Sequence, residues 1–272
     1  MTIIDTHAHI YPDAIALKAA ASIGKFYDIP MDLDGTVDTL LRHGDQAGID
    51  RFLVQSVAVT WERAHSINDF IARSVNEHPD RFVGFGAMHP DHPEMEKELD
   101  RILSLGLKGV KLHPDFQHFC LDDPNAVKLF EAMAERNLAL LVHTGDKRYP
   151  YSQPERMARA LDRVPRLRAI CAHLGGWTSW EKSSRALIGS GVYADCSSSL
   201  FALDGETAVR ILRGYGVDHV FFGSDYPAWT PGEELERFFR LPLDGDEREQ
   251  ILWDNAKRMF ANALPLADGG QT

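Results

Sequence analysis

Cysteine is scarce: Cys120, Cys171 and Cys196 are the only three in 272 residues. They are odd in number, widely spaced and form no CxxC pair. That excludes a disulfide framework and a thiolate zinc site, and points to a reducing, cytoplasmic compartment. An excess of basic charge is also missing. Lys and Arg total 29 against 40 for Asp and Glu, a net charge of −11, which argues against non-specific attraction to nucleic acid or an anionic membrane. No apolar run nears the roughly 20 residues that span a bilayer. The opening MTIIDTHAHI has neither the basic nor the apolar region of a secretion signal. Nor does a Ser/Gly/Pro-rich linker, an internal repeat or a Gly-rich phosphate loop interrupt the chain. The expected partner is a small-molecule substrate, and the expected assembly is a homodimer, the commonest soluble oligomer.

What is present is alternation. Short β-branched or apolar runs (Ile3–Ile10, Arg51–Val57, Phe82–His89, Leu107–His113, Ala139–Thr144, Arg168–Leu174, Val192–Ser197 and His219–Asp225) read as eight strands. Helical periodicity fills the intervals: near Val37 and Met95, and over Glu62–Glu77, Pro124–Arg136, Pro154–Arg163, Ser179–Ile188, Gly205–Tyr215 and Glu247–Ala261. Strict βα alternation implies a parallel sheet with right-handed crossovers. At this length it predicts an α/β fold, a (β/α)8 TIM barrel forming one domain over residues 1–272. An open doubly wound sheet is the rival, weakened by the missing phosphate loop. Tyr11–Asp34 is expected to be a rim loop covering the substrate, and Ala267–Thr272 a frayed tail.

The histidines then divide. His43, His65, His78, His92, His118 and His219 fall on predicted helices or turns. Others close predicted strands, where a barrel builds its active site. In IIDTHAHI, alternation puts Asp5, His7 and His9 on one face, and two imidazoles one pleat apart can share a cation. LVHTGD adds His143, ICAHLGG adds His173, FFGSDYP adds Asp225, and GVKLHP adds Lys111 and His113. Clustering such groups in a partly dry mouth is costly unless something compensates them. A divalent cation would do so, and imidazole with carboxylate suits Zn²⁺, Mn²⁺, Fe²⁺ or Ni²⁺.

These residues resemble the amidohydrolase superfamily. GVKLHP, HLGG and GSDYP resemble in particular its amidohydrolase-related branch, which holds metal-dependent hydrolases together with aminocarboxymuconate-semialdehyde and aromatic-acid decarboxylases. The resemblance implies that His7, His9, His143 and Asp225 ligate the metal, for which zinc is the first expectation on that ligand chemistry, while His173 stays off it as an acid/base group. In binuclear superfamily members a strand-four lysine is carboxylated and bridges two ions. The branch with GVKLHP is generally mononuclear, which implies one ion here, with Lys111 and His113 contacting substrate or bracing a ligand. Tyr11, Trp177 and Trp229 are candidates for substrate walls or for packing beneath a rim loop. Gly175 and Gly176 read either as an oxyanion-type turn or as a tight βα turn, and Asp5 as a hydrogen-bond partner for a ligand or as a buried structural carboxylate.

The leading functional expectation is hydrolysis of an amide, lactone or ester by a metal-activated water, with Asp225 as base and His173 stabilising or protonating. The alternative is non-oxidative decarboxylation of an aromatic or unsaturated acid in the same site. That needs a cationic clamp, for which Lys111, Lys147 and Arg148 are the evident candidates. The chain is also short beside the decarboxylases it resembles, which places hydrolysis first. A third reading is a metal-binding scaffold without catalysis, although no expected ligand is missing.

Overall fold

The computed structural model describes residues 1–261. The expected tail at Ala267–Thr272 lies outside them. Every predicted strand is present: β1 (Ile4–His9), β2 (Arg51–Gln55), β3 (Phe82–Gly84) with β4 (Gly86–Ala87), β5 (Gly109–Leu112), β6 (Ala139–Val142), β7 (Ala169–Cys171), β8 (Tyr193–Asp195) and β9 (Val220–Phe221). All pair in parallel, as β1-β2-β3 and β4-β5-β6-β7-β8-β9. The third predicted strand is divided at Phe85, whose amide still reaches Val54 O at 3.0 Å. The ring closes where Thr6 N donates to Phe222 O (2.9 Å), His9 N donates to Tyr226 O (2.7 Å) and Ala8 bridges Tyr226. This is a closed (β/α)8 barrel.

Helices follow the strands and pack outside. In α2 (Val37–Ala47), Thr36 caps the first turn by accepting from Thr39 N, and Gly48 ends it at φ 72°. Its Gly44 lets β2 approach closely, since a Cβ there would lie 2.3 Å from the Phe52 ring. The main apolar cluster lies between strands and helices. A second cluster fills the barrel's lower interior with Ile4, Leu53, Phe85, Leu141, Ile170 and Phe221, plugged by Phe260. Phe85 and Phe260 meet edge to face at 5.7 Å. Burying each such side chain stabilises by roughly 1.5–3 kcal/mol. No helix among the described residues is long and apolar enough to cross a membrane.

Three segments depart from expectation. Tyr11–Asp34 is not a loop: it holds the 15-residue α1 (Asp13–Tyr27), which lies over the barrel mouth. A further helix, α10 (Pro231–Phe239), follows the last strand with a full capping box between Thr230 and Glu233. The final predicted helix, Glu247–Ala261, is broken by a π-helical turn at Gln250–Asp254. The remaining helices used below are α3 (Ala64–Glu77), entered through a 3₁₀ turn at Trp61–Arg63, and the short α5 (Pro114–Gln117).

Candidate metal centre and active site

The strand ends converge. His7 Nε2 lies 3.2 Å from His9 Nε2 and 3.4 Å from Asp225 Oδ1, and His9 Nε2 lies 3.6 Å from the same oxygen. Those separations match the edge of about 3.4 Å expected of a tetrahedron with metal–nitrogen bonds near 2.1 Å. His7, His173 and Asp225 each offer a donor atom within 4.8 Å of the other two. His173 Nε2 is 3.1 Å from His143 Nδ1, so the four strand ends form one continuous cluster. Lys111 Nζ reaches His7 Nε2 at 3.0 Å.

Local backbone sets these positions. Residues Asp5 and Ala8 pair with Phe52 and Val54, three steps on β1 against two on β2. This bulge turns the strand between Asp5 and His7. Phe52 faces the outer cluster and Leu53 the inner one, so Asp5 lies outward while His9, paired with Gln55, lies inward. Asp5 therefore does not share a face with His7 and His9, as plain alternation predicts. Its carboxylate accepts from Ser224 Oγ (2.5 Å), Ser224 N and His7 N, tying β1 to the segment that carries Asp225. Gly223 permits that approach, because a Cβ there would fall 2.7 Å from His7 Cβ. His173 and Asp225 sit at φ 61° and 62°, conformations non-glycine residues rarely hold without support. The support is visible: Asp225 N donates to His7 O (2.8 Å), and His173 N donates to Asp195 Oδ1 (3.2 Å).

Asp195 is the residue the sequence reading passed over. Its Oδ2 lies 2.9 Å from His7 Nδ1, while Oδ1 accepts from Ser197 Oγ and N and from His173 N. A carboxylate on Nδ1 fixes the proton there and leaves the Nε2 lone pair facing the cluster. Ser197 O does the same for His173 through Nδ1 at 3.0 Å. Asp195 ends strand β8, the position that draws attention to Asp225 and the histidines, so the signal was available. Ser198 was missed as well. Its hydroxyl donates to Asp225 Oδ2 at 2.6 Å and accepts from Trp229 Nε1 at 3.0 Å, leaving Asp225 Oδ1 toward His7 and His9.

Burial drives these groups toward their neutral forms. It pushes the imidazoles of His7, His9, His113 and His143 well below the ordinary range, and His173 down to about 4. It lowers Lys111 to about 8, and raises Asp5 and Asp225 to about 7. His143 Nε2 and His9 Nδ1 are buried without a hydrogen-bond partner. Unprotonated imidazoles beside the Asp225 carboxylate, with donor atoms left over, fit a divalent cation: it would compensate the buried oxygen charge and use the lone pairs.

The cluster opens into a cavity of about 800 Å³. Lys111, His113 and Trp229 all line it, as do Tyr11 and Trp177. His113 stacks on His143 at 4.1 Å, and its Nε2 lies 2.6 Å from the Tyr27 hydroxyl of α1. Arg148 does not line the cavity. It pairs with Asp146 (2.7 Å), donates to Phe26 O (2.7 Å) and lies over the Phe26 and Tyr27 rings, so it anchors α1. Lys147 is exposed and does not line the cavity either. Gly175 N and Gly176 N already donate to Ala172 O and His173 O, and Gly175 holds φ 72°. They make a tight βα turn, not an oxyanion hole.

The family profile for amidohydrolases matches residues 4–261, so this chain belongs to the amidohydrolase family. Among curated relatives, it is 31% identical to a 2-amino-3-carboxymuconate-6-semialdehyde decarboxylase of Dictyostelium discoideum, over 42% of this chain and 38% of that protein. It is 24% identical to a gamma-resorcylate decarboxylase of Polaromonas sp., over 82% of this chain and 86% of the relative. A dihydroxybenzoic acid decarboxylase of Polaromonas sp., solved with bound manganese and the inhibitor 2-nitroresorcinol, superposes with a TM-score of 0.72 at 18% identity, covering 96% of this chain and 97% of that one. The relatives favour the decarboxylase alternative over the hydrolase that leads the sequence reading.

Proposed function

We propose that this protein is a metal-dependent, non-oxidative decarboxylase of an aromatic or unsaturated carboxylic acid. The observation that carries the reading is Lys111. It is a buried ammonium 3.0 Å from His7 Nε2, in a cavity whose lining includes one carboxylate, that of Asp225. A carboxylated substrate is thereby drawn to the cluster.

His7, His9, His143 and Asp225 would hold one divalent cation, which when bound would supply a positive centre for the substrate's carboxylate or a neighbouring hydroxyl oxygen. Manganese is our first choice, on the strength of the ion in the Polaromonas structure, ahead of the zinc that the ligand chemistry put first. His173 is the proton donor. The substrate's negative charge favours its imidazolium form against the burial that otherwise depresses it. The proton passes from His173 to the ring carbon bearing the carboxylate. The C–CO₂ bond then breaks, its electron pair returns to the ring, and carbon dioxide leaves. Lys111 and His113 position the acid, Trp229 forms a wall, and Asp195 holds His7 in the required tautomer. A homodimer is the proposed assembly, to be checked by light scattering. The three unpaired cysteines support a cytoplasmic location.

The test is a panel of hydroxylated aromatic acids, lactones and amides offered to manganese-loaded protein. Carbon dioxide release that disappears on chelation supports the proposal. Lactone or amide hydrolysis without carbon dioxide release from any acid restores the hydrolase.

A further inference from the structure

The cavity runs well beyond the cluster. On α1, one face lines it continuously through Ile15, Lys18, Ala19, Ser22, Ile23 and Phe26. Those positions span 12 residues, or 11 steps of about 1.5 Å, about 17 Å of helix. Facing it, Arg63, Ser66, Ile67, Phe70 and Arg73 line it along α3 and its leading turn, about 15 Å. The result is a trough with an apolar floor, longer than one aromatic ring and its carboxylate.

Charge in this trough is one-sided. Although Asp and Glu outnumber Lys and Arg by 40 to 29 in the chain, Asp225 is the only acid among the described residues that lines the cavity, and it belongs to the cluster. Lys18, Arg63 and Arg73 are exposed, and among the described residues none forms a salt bridge, Arg63 only helping a hydrogen bond from Thr60 to hold the neighbouring Glu62 carboxyl below its ordinary range. Away from the cavity lining, Arg148 pairs with Asp146 and Arg101 with Asp69. Three cations without a salt bridge among the described residues, along an apolar trough, suit a negative charge carried on an apolar body.

We propose that the substrate is an elongated dianion. Its reacting carboxylated ring lies at the histidine–Asp225 cluster, its apolar body along the faces of α1 and α3 that line the cavity, and its second carboxylate at the cationic rim to which Lys18, Arg63 and Arg73 belong. Which end reacts rests on the decarboxylase reading; the shape and charge of the ligand do not.

The experiment is calorimetric titration of manganese-loaded protein with benzoate, biphenyl-4-carboxylate and biphenyl-4,4′-dicarboxylate. The second ring should tighten binding by burying apolar area. The second carboxylate should tighten it about tenfold further at low ionic strength, and less at high salt. In the triple variant Lys18→Gln, Arg63→Gln, Arg73→Gln that last gain should vanish, with metal content and melting temperature showing that the fold is intact. The pair Lys18→Glu, Arg63→Glu should reverse it, so that the diacid binds more weakly than the monoacid. Equal affinity of the two biphenyl acids for the unaltered protein, or a gain that survives the triple variant, overturns the proposal. A diacid that binds tightly, loses its advantage in the variants, and belongs to a class of acids releasing no carbon dioxide would uphold the proposal and sink decarboxylation instead.

Discussion

The two ends of the barrel interior are built on the same strands and obey opposite rules. At the lower end, Ile4, Leu53, Leu141, Ile170 and Phe221 meet with no polar atom among their side chains, and Phe260 closes the plug. A few residues along, the same strands deliver His7, His9, Lys111, His143, His173, Asp195 and Asp225, every one buried or nearly so. The lower end is stabilised by removing apolar surface from water. The upper end gathers groups that burial disfavours, held by hydrogen bonds to Asp5, Asp195 and Ser198 and by two strained backbone positions. One end makes the barrel stable, and the other uses part of that stability to keep a reactive cluster in place.

Changes at the two ends should therefore separate activity from stability. The largest effect belongs to the mouth. His173→Ala should reduce turnover by roughly 10²–10⁴ with little change in melting temperature, as removal of a proton donor does. Steady-state kinetics beside thermal denaturation checks it, and a parallel fall in both would make His173 a folding residue. Phe85→Ala, at the other end, should lose roughly 3–5 kcal/mol of stability, the usual consequence of emptying a buried aromatic site. The protein that remains folded should keep its metal affinity. Denaturant titration with metal analysis decides that, and a variant that stays equally stable would show the plug to be dispensable.

Asp195→Asn probes the link between the ends. The amide can no longer hold His7 as the carboxylate does, so metal affinity should fall by roughly 10–100-fold. Competition with a chelator of known affinity measures it, and the absorption spectrum of the cobalt-substituted protein should change with it. Unchanged affinity would reduce Asp195 to a brace for the His173 backbone. The smallest effect concerns Glu234 on α10, which pairs with Arg237 yet keeps Oε2 buried without a partner. Burial raises its carboxyl from 4.5 to about 8. The folded state thus retains a proton that the unfolded chain releases, and stability contributed by the protonated form is lost as pH climbs from about 4.5 to about 8. Relative to wild type, Glu234→Gln should gain melting temperature progressively from pH 5 to pH 8. A gap that stays constant with pH would mean that the group does not titrate in this window.

Much of the lower end was legible because it depends on periodicity. Eight apolar runs in strict alternation gave the strands, and their closing residues located the cluster. What escaped depends on contacts that periodicity does not encode. The β1 bulge moved Asp5 off the face of His7 and His9, and no alternation pattern reveals an inserted residue. The α1 segment, DAIALKAAASIGKFY, is rich in Ala on every side, so its apolar stripe contrasts weakly with its other face and no periodicity marks the helix. By contrast α10 carried a legible start in Thr230, Pro231 and Glu233. Lys18 stands far from Arg63 and Arg73 in the chain, and they line one cavity only because α1 lies over the mouth.

Metal content distinguishes the proposed ligands at the mouth from the proposed proton donor most directly. Wild type, His143→Ala and His173→Ala should each be loaded with manganese, freed of excess ion and analysed for metal per chain. One ion per chain in wild type and in His173→Ala, with almost none in His143→Ala, is the predicted result. An empty His173→Ala beside a loaded His143→Ala would exchange the two roles, and two ions per wild-type chain would replace the single centre with a pair bridged through Lys111.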